Sequence, residues 1–319
     1  MAAPEFAAPR WLANNHLQTV YGSLISPRPR VQYRRERWDT PDGDFVDVDF
    51  VDGPEGSPWV HLFHGLEGSS SSPYATHLMD NVQRLGWRGS VLNFRGCSGE
   101  PNRLGRAYHS GDSEEVDWVL RKLKPRVGSA PFYAAGVSLG GNVLLKWLGE
   151  RGRDAEGILE RAVAVSAPVD LMAAGWALQA GIAILYGKHF NATLKKRSLA
   201  KLAQFPDLFD AARVKRARTL REFDDAMTAP VHGFSGVDDY YTRSSSKPWL
   251  RAIRVPTLVL NARDDPFLPE RFLPAPAEVS PKVTLEFPAR GGHVGFVSGF
   301  PGRSEWLPRR ILHFLIENE

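Results

Sequence analysis

The stretch Gly136-Val137-Ser138-Leu139-Gly140 constrains this chain more than any other. It has the G-x-S-x-G spacing of a nucleophile elbow, in which a serine sits on a sharp turn between a strand and a helix. Such a turn crowds the backbone, so the flanking positions must lack side chains, and Gly136 and Gly140 supply that room. The context fits: an apolar run over 132–135 precedes the motif, and Val143, Leu144, Trp147 and Leu148 recur at helical spacing after it. That helix would aim its unpaired N–H groups and positive dipole end at an anion forming on a bound substrate. The plainer alternative is a glycine-rich turn bearing a solvated serine.

The same strand-then-helix rhythm runs through much of the chain. Residues 33–39 and 44–52 flank Thr40-Pro41-Asp42-Gly43, a turn signal, and read as a hairpin whose acidic face, with Asp47 and Asp49, is expected to be solvated. Further strands are expected over 59–63, 90–94, 132–135 and 161–167. Between them lie a helix opened by Ser72 and Pro73 and closed by Gly86, and a second over 113–123. Over 168–256 no strand-like run appears, and helix-forming stretches such as 173–185 and 194–204 dominate. Strands resume at 257–261 and 283–287, and a closing helix spans 306–316.

Strands separated by helices in this way argue for an α/β fold, a mostly parallel eight-stranded sheet with helices on both faces and a helical cap inserted after strand 6. The expected organisation is an N-terminal arm over 1–32, a catalytic domain over 33–167 and 257–319, and the cap over 168–256. Within the arm, Leu17, Val20, Tyr21 and Leu24 recur at helical spacing behind Asn14 or Asn15 as N-cap. It is expected to pack on the main domain rather than anchor in a membrane.

Composition narrows the function classes. With 43% hydrophobic and 24% charged residues the chain reads as globular rather than disordered. Its single Cys97 leaves no internal disulfide and no multi-cysteine zinc site, which fits a reducing, cytoplasmic setting. Residues 1–15 lack the apolar core of a secretory signal, and no run approaches the roughly 18 apolar residues of a membrane span. Residues 188–221 hold ten Lys or Arg against Asp207 and Asp210. That run reads as a solvated helix face, with peripheral attraction to an anionic membrane as the functional alternative. No nucleic-acid-binding motif accompanies it.

A serine hydroxyl needs an adjacent base, and the base needs a partner that fixes its tautomer. Ser138, His293 and Asp265 fill these roles, each just beyond an expected strand end, in the chain order Ser, Asp, His of the α/β-hydrolase fold. Among the nine histidines, His293 alone follows the last strand after the aspartate loop, with Gly291 and Gly292 permitting a tight turn. Asp265 is preferred over Asp264, which is expected to bond locally, because Pro266-Phe267-Leu268-Pro269 follows it. The backbone N–H groups of Leu139 and of Leu66, in the turn His64-Gly65-Leu66-Glu67-Gly68, are the expected oxyanion-hole donors. His61 and His64 fall on opposite faces of their strand and do not read as a metal pair.

The arm His16-Leu-Gln-Thr19, the turn His64-Gly-Leu-Glu-Gly-Ser69, the loop Asn93-Phe-Arg-Gly-Cys-Ser-Gly-Glu-Pro-Asn102, the stretch Tyr108-His-Ser-Gly-Asp112, the elbow, Arg221-Glu-Phe-Asp-Asp225, Asn261-Ala-Arg-Asp-Asp-Pro-Phe267 and Gly291-Gly-His-Val-Gly-Phe296 together resemble the YheT-type α/β-hydrolases. These are relatives of the mammalian ABHD hydrolases that act on lipid esters. The resemblance spans nearly the whole chain and implies a serine carboxylesterase acting on short- to medium-chain acyl esters. It carries the triad onto Ser138, Asp265 and His293. The expected partner is a small-molecule or lipid ester, with neither cofactor nor metal. The rivals are thioester, amide or phospholipid cleavage on the same triad, and a non-catalytic fold that holds a small ligand.

Overall fold

The computed structural model describes residues 5–316, so the first four residues of the expected arm and the last three of the chain lie outside the described residues. Its centre is one eight-stranded sheet in the order β1-β2-β4-β3-β5-β6-β7-β8. The strands are β1 (Arg34–Asp39), β2 (Phe45–Val51), β3 (Trp59–Phe63), β4 (Arg88–Asn93), β5 (Phe132–Val137), β6 (Arg161–Val165), β7 (Thr257–Leu260) and β8 (Val283–Glu286). The β1/β2 and β2/β4 pairs are antiparallel, and every pair from β4 through β8 is parallel.

The longer helices are α1 (Asn15–Val20), α2 (Pro73–Arg84), α3 (Ser113–Val127), α4 (Leu139–Arg151), α5 (Leu171–Ala177), α6 (Ile184–Lys201), α7 (Val237–Ser244) and α8 (Trp306–Ile316). Leu120 and Leu123 of α3 and Leu144, Trp147 and Leu148 of α4 join the apolar cluster on one sheet face. Leu78, Met79 and Val82 of α2 and Leu312 and Leu315 of α8 fill the other. Because β3 lies between β4 and β5, the chain winds to opposite sides from it, and the carboxyl ends of β3 and β5 border the crevice where open α/β sheets bind ligands.

Between β6 and β7 the chain is helical, forming the cap. The stretch expected as one helix over 173–185 is instead broken: α5 ends at Ala177, and Gly181 adopts φ +52° before α6 starts. The helix expected over 113–123 runs a turn further, to Val127.

One surface expectation is corrected. Asp44, Asp47 and Asp49 are buried rather than solvated. Arg37 grips Asp47 and Arg35 grips Asp49 from the neighbouring strand, while Arg95 and Asn102 reach Asp44. An alternating pattern marks a face as polar; here guanidinium groups and the 95–103 loop cover it in place of water. The basic run of the cap faces solvent for the most part, as expected, with Lys188, Lys196, Arg213, Lys215, Arg216 and Arg218 exposed, while several members also take intramolecular partners. Arg197 binds Glu67, Lys201 binds the Leu104 carbonyl, Lys195 binds the Lys215 carbonyl, and Arg213 and Arg221 pair with Asp225 and Asp238.

Candidate active site

Ser138 occupies the turn between β5 and α4 with φ +53° and ψ −121°, a conformation side-chain-bearing residues adopt only under constraint. The constraint is close packing. A Cβ on Gly136 would strike the Gly140 carbonyl, and one on Gly140 would strike the Phe63 carbonyl at the end of β3. The Ser138 N–H donates to the Val165 carbonyl at 2.8 Å, which pins the turn to β6.

Ser138 Oγ lies 2.9 Å from His293 Nε2, and His293 Nδ1 lies 2.9 Å from Asp265 Oδ2 and 3.1 Å from Oδ1. His293 and Asp265 are buried. Asp265 Oδ1 also accepts the Phe267 N–H at 2.8 Å, and the Phe267 ring stacks on the imidazole with centroids 3.8 Å apart. The aspartate is thus fixed by its own loop, and the ring is fixed by the aspartate and the phenyl. With Asp265 accepting from Nδ1–H, Nε2 is left to accept the serine proton. Asp264 bonds its own backbone N–H, as expected, and also accepts the Gly292 N–H at 2.9 Å, which ties the aspartate loop to the histidine loop. Its burial, with the Asp265 charge adding to the effect, pushes its carboxyl above the usual range.

The two expected oxyanion donors lie on facing loops. Leu139 is the first residue of α4 and Leu66 follows β3. Around Leu66 the neighbouring amides are occupied: the Gly65 N–H donates to Tyr74 Oη at 2.8 Å, and the Glu67 N–H to Tyr108 Oη at 2.9 Å. Neither the Leu66 nor the Leu139 amide donates to any group among the described residues, which leaves both for a ligand oxygen. His64 holds the loop from beneath. Its Nδ1–H donates to the Gly65 carbonyl at 2.7 Å and its Nε2 accepts the Phe94 N–H at 3.1 Å. Burial pulls its pKa down to about 4, keeping it neutral in that role.

Several residues that hold the site escaped the reading of single motifs. Thr19 of α1 accepts the His293 N–H at 2.9 Å, and Asn15 donates to the Asp264 carbonyl at 2.8 Å. Ser166, at the end of β6 with φ +48°, accepts the Val294 N–H at 3.1 Å. Glu67 accepts from Tyr108 at 3.0 Å and from Arg197 of α6 at 2.6 Å. Thr19, Glu67 and Tyr108 do lie inside the stretches that carried the family resemblance, the one signal that could have singled them out.

Two chambers meet at Ser138. One, about 120 Å³, lies under the cap between Leu139 and the apolar side chains Leu171, Leu178, Leu194, Phe223 and Met227. Asp224 lines it too, bonded by Thr228 Oγ1 at 2.7 Å and Tyr241 Oη at 2.8 Å. Burial raises the Asp224 carboxyl to about 6. The other chamber, about 430 Å³, lies between the arm, the loop around Leu66 and the histidine loop, with Val20, Leu24, Tyr74 and Tyr186 in its walls.

A sheet of this topology, with its strand-end serine, histidine and aspartate in hydrogen-bonded line, defines an α/β hydrolase. The chain belongs to that family: the family model described as alpha/beta hydrolase fold matches residues 58–300. Among its relatives, the YheT protein of Escherichia coli (strain K12) is 40% identical over 98% of this chain and 94% of its own length. Phospholipase ABHD3 of Homo sapiens is 32% identical, covering 96% of this chain and 77% of its own. Among solved structures, an esterase of Pyrococcus furiosus shares the fold at TM-score 0.56 and 17% identity, over 91% of this chain and 98% of that one. Est1E from Butyrivibrio proteoclasticus, solved with ferulic acid bound, shares it at TM-score 0.56 and 12% identity, over 90% and 98%.

Proposed function

We propose that this chain is a serine hydrolase of carboxylic esters working through an acyl-enzyme. The observation that carries the reading is the unbroken line Ser138 Oγ, His293 Nε2, His293 Nδ1, Asp265 Oδ2, with both heavy-atom gaps at 2.9 Å. In the first half-reaction His293 takes the proton from Ser138 as Oγ adds to the ester carbonyl. The oxygen that becomes negative is received by the amides of Leu66 and Leu139, at the positive end of α4. His293 then gives its proton to the departing alcohol, and Asp265 supports the imidazolium between the two transfers. A water, deprotonated by the same nitrogen, releases the acid and restores Ser138.

The chambers divide the substrate. The smaller, apolar one suits the acyl group. A dry cavity of about 150 Å³ holds a benzene ring, so about 120 Å³ accommodates an acyl chain of roughly four carbons without movement of the cap. The larger chamber, flanked by His293, suits the alcohol that leaves with the histidine's proton. Phospholipid ester cleavage is the second reading, supported by the 32% identical relative named as a phospholipase and by the roomier alcohol side. Ser138→Ala is expected to abolish turnover of p-nitrophenyl butyrate and labelling by a fluorophosphonate. Unchanged turnover in that variant would sink the proposal.

A further inference from the structure

We propose that the arm, the start of α6 and the turn around Phe300 form one docking surface for a lipid bilayer carrying anionic headgroups, placed so that its centre opens on the larger chamber. The proposal builds on the reading of Ser138 as an ester-cleaving serine, and adds where a water-insoluble ester would reach it.

Large apolar side chains on a surface are ordinary when scattered singly, and informative when they gather. Here they gather. Leu24 is 73% exposed, Ile25 60%, Leu185 64% and Phe300 86%, with Leu17 and Ile182 each more than half exposed. Contacts join the elements that carry them. The Trp11 ring meets Tyr21 at 5.4 Å and Phe300 at 5.8 Å, drawing the turn at 300 to the arm. His16 Nδ1 lies 3.3 Å from Tyr186 Oη, with the rings stacked, which brings Leu17 and Leu185 to one seam between arm and cap. Leu17 on α1 and Leu24 on the π-helical turn Tyr21–Ile25 that follows it are both exposed along the arm.

Charge around this patch favours a lipid surface over a neutral apolar partner. Arg10, Arg28, Arg30 and Lys188 flank it in the chain, and none pairs with a carboxylate among the described residues. Arg290 joins them through its bond to the Ala13 carbonyl at 2.8 Å. Glu305, the nearby acid, is already held by Arg303 and Arg309. An apolar stripe bordered by unpaired cations is the pattern of an element lying in the headgroup region. The basic run of the cap is the weaker candidate for that role: Lys196, Lys215, Arg216 and Arg218 are exposed, but no large apolar side chain between 195 and 218 is exposed beside them, and Arg197, Lys201, Arg213 and Arg221 are turned to intramolecular partners.

The third observation is continuity. Val20, Ser23 and Leu24 line the same chamber that ends at Ser138 and His293. A lipid ester lifted from a bilayer seated on the arm would therefore pass into the site without crossing water.

The test is sedimentation of the full chain with vesicles of phosphatidylcholine alone and of phosphatidylcholine mixed with phosphatidylglycerol, read beside turnover of dissolved p-nitrophenyl butyrate. The wild type is expected to bind the mixed vesicles more tightly. Leu17→Ser, Ile25→Ser and Phe300→Ser combined should weaken that binding on the order of tenfold or more, with soluble-ester turnover unchanged. Arg10→Glu with Lys188→Glu should remove the preference for the anionic vesicles, whereas Lys195→Glu with Lys196→Glu should leave it intact. Wild type that ignores both vesicle types, or a triple variant that binds as well as wild type, overturns the proposal. So does a dimer in light scattering that the triple variant abolishes without any vesicle binding, which would assign the face to a second copy. Absence of soluble-ester turnover in the wild type would instead defeat the esterase reading, leaving docking to be judged by the vesicles alone.

Discussion

Arg197→Ala probes whether the cap organises the oxyanion loop. Arg197 sits in α6, and its guanidinium reaches down to Glu67 at 2.6 Å and to the Gly96 carbonyl. Glu67 adopts φ +57° next to Leu66, and its carboxylate accepts from Tyr108, whose hydroxyl in turn accepts the Glu67 N–H. Removing the guanidinium leaves that carboxylate with one neutral partner. The Arg197 side chain is 35% exposed and that of Glu67 12%, so the loss falls below that of a fully buried pair, and about 1–2 kcal/mol of stability is expected. An oxyanion donor is worth about 3 kcal/mol in the transition state. If the relaxed loop forfeits a third to two-thirds of the Leu66 contribution, kcat drops roughly 5- to 30-fold. Arg197 lines neither chamber at Ser138, so KM should move by less than about twofold. Steady-state kinetics on p-nitrophenyl butyrate, at a temperature where urea titration shows the variant folded, reads both quantities, and Arg197→Lys should recover part of kcat. A variant with unchanged kcat, or one in which KM alone rises, would refute the coupling.

Two further substitutions test other parts of the site. Asp224 has its carboxyl raised by burial from 3.8 to about 6, so between those values the folded chain keeps a proton that the unfolded chain releases. Stability therefore falls as pH rises through that window and is level above it, by up to about 3 kcal/mol. Asp224→Asn, which keeps an oxygen acceptor for one of the two hydroxyls and offers its NH2 to the other, should remove this slope and stabilise the chain at neutral pH, as read by urea titration below and above the window; an unaltered slope would show that another group carries it. Thr19→Val deletes the acceptor of the His293 N–H at 2.9 Å and should cost about 1–3 kcal/mol as an unsatisfied buried donor. Turnover should fall with it and return in Thr19→Ser, whereas wild-type turnover in Thr19→Val would show that the arm does not position the histidine loop.

What could be read from the chain before its structure divides along a physical line. The sheet was legible because strands covered on both faces are short and apolar, and β3, β5 and β6 match that pattern almost residue for residue. Ser138, Asp265 and His293 stood out because each sits just past a strand end, where the fold presents side chains to a common crevice. The elements that were misread are those whose environment is supplied from far away. Periodicity marks the Asp47 and Asp49 face as polar, yet cannot distinguish water from the guanidinium groups of Arg37 and Arg35 that cover it. The break between α5 and α6 hides in an apolar stretch: α5 stops at Ala177, and the one local cue is Gly181, left-handed at φ +52° where the chain turns into the next helix. Thr19 is the sharpest instance: 274 positions separate it from the histidine whose amide it receives, and apart from the family stretch it belongs to, nothing in its own neighbourhood distinguishes it from any threonine on a short helix. The side chains that do the chemistry leave a local trace because the elbow and the tight turns constrain the backbone around them. Those that hold the chemistry in place need only the right atom at the right point in space, and a hydroxyl imposes no such demand on its neighbours.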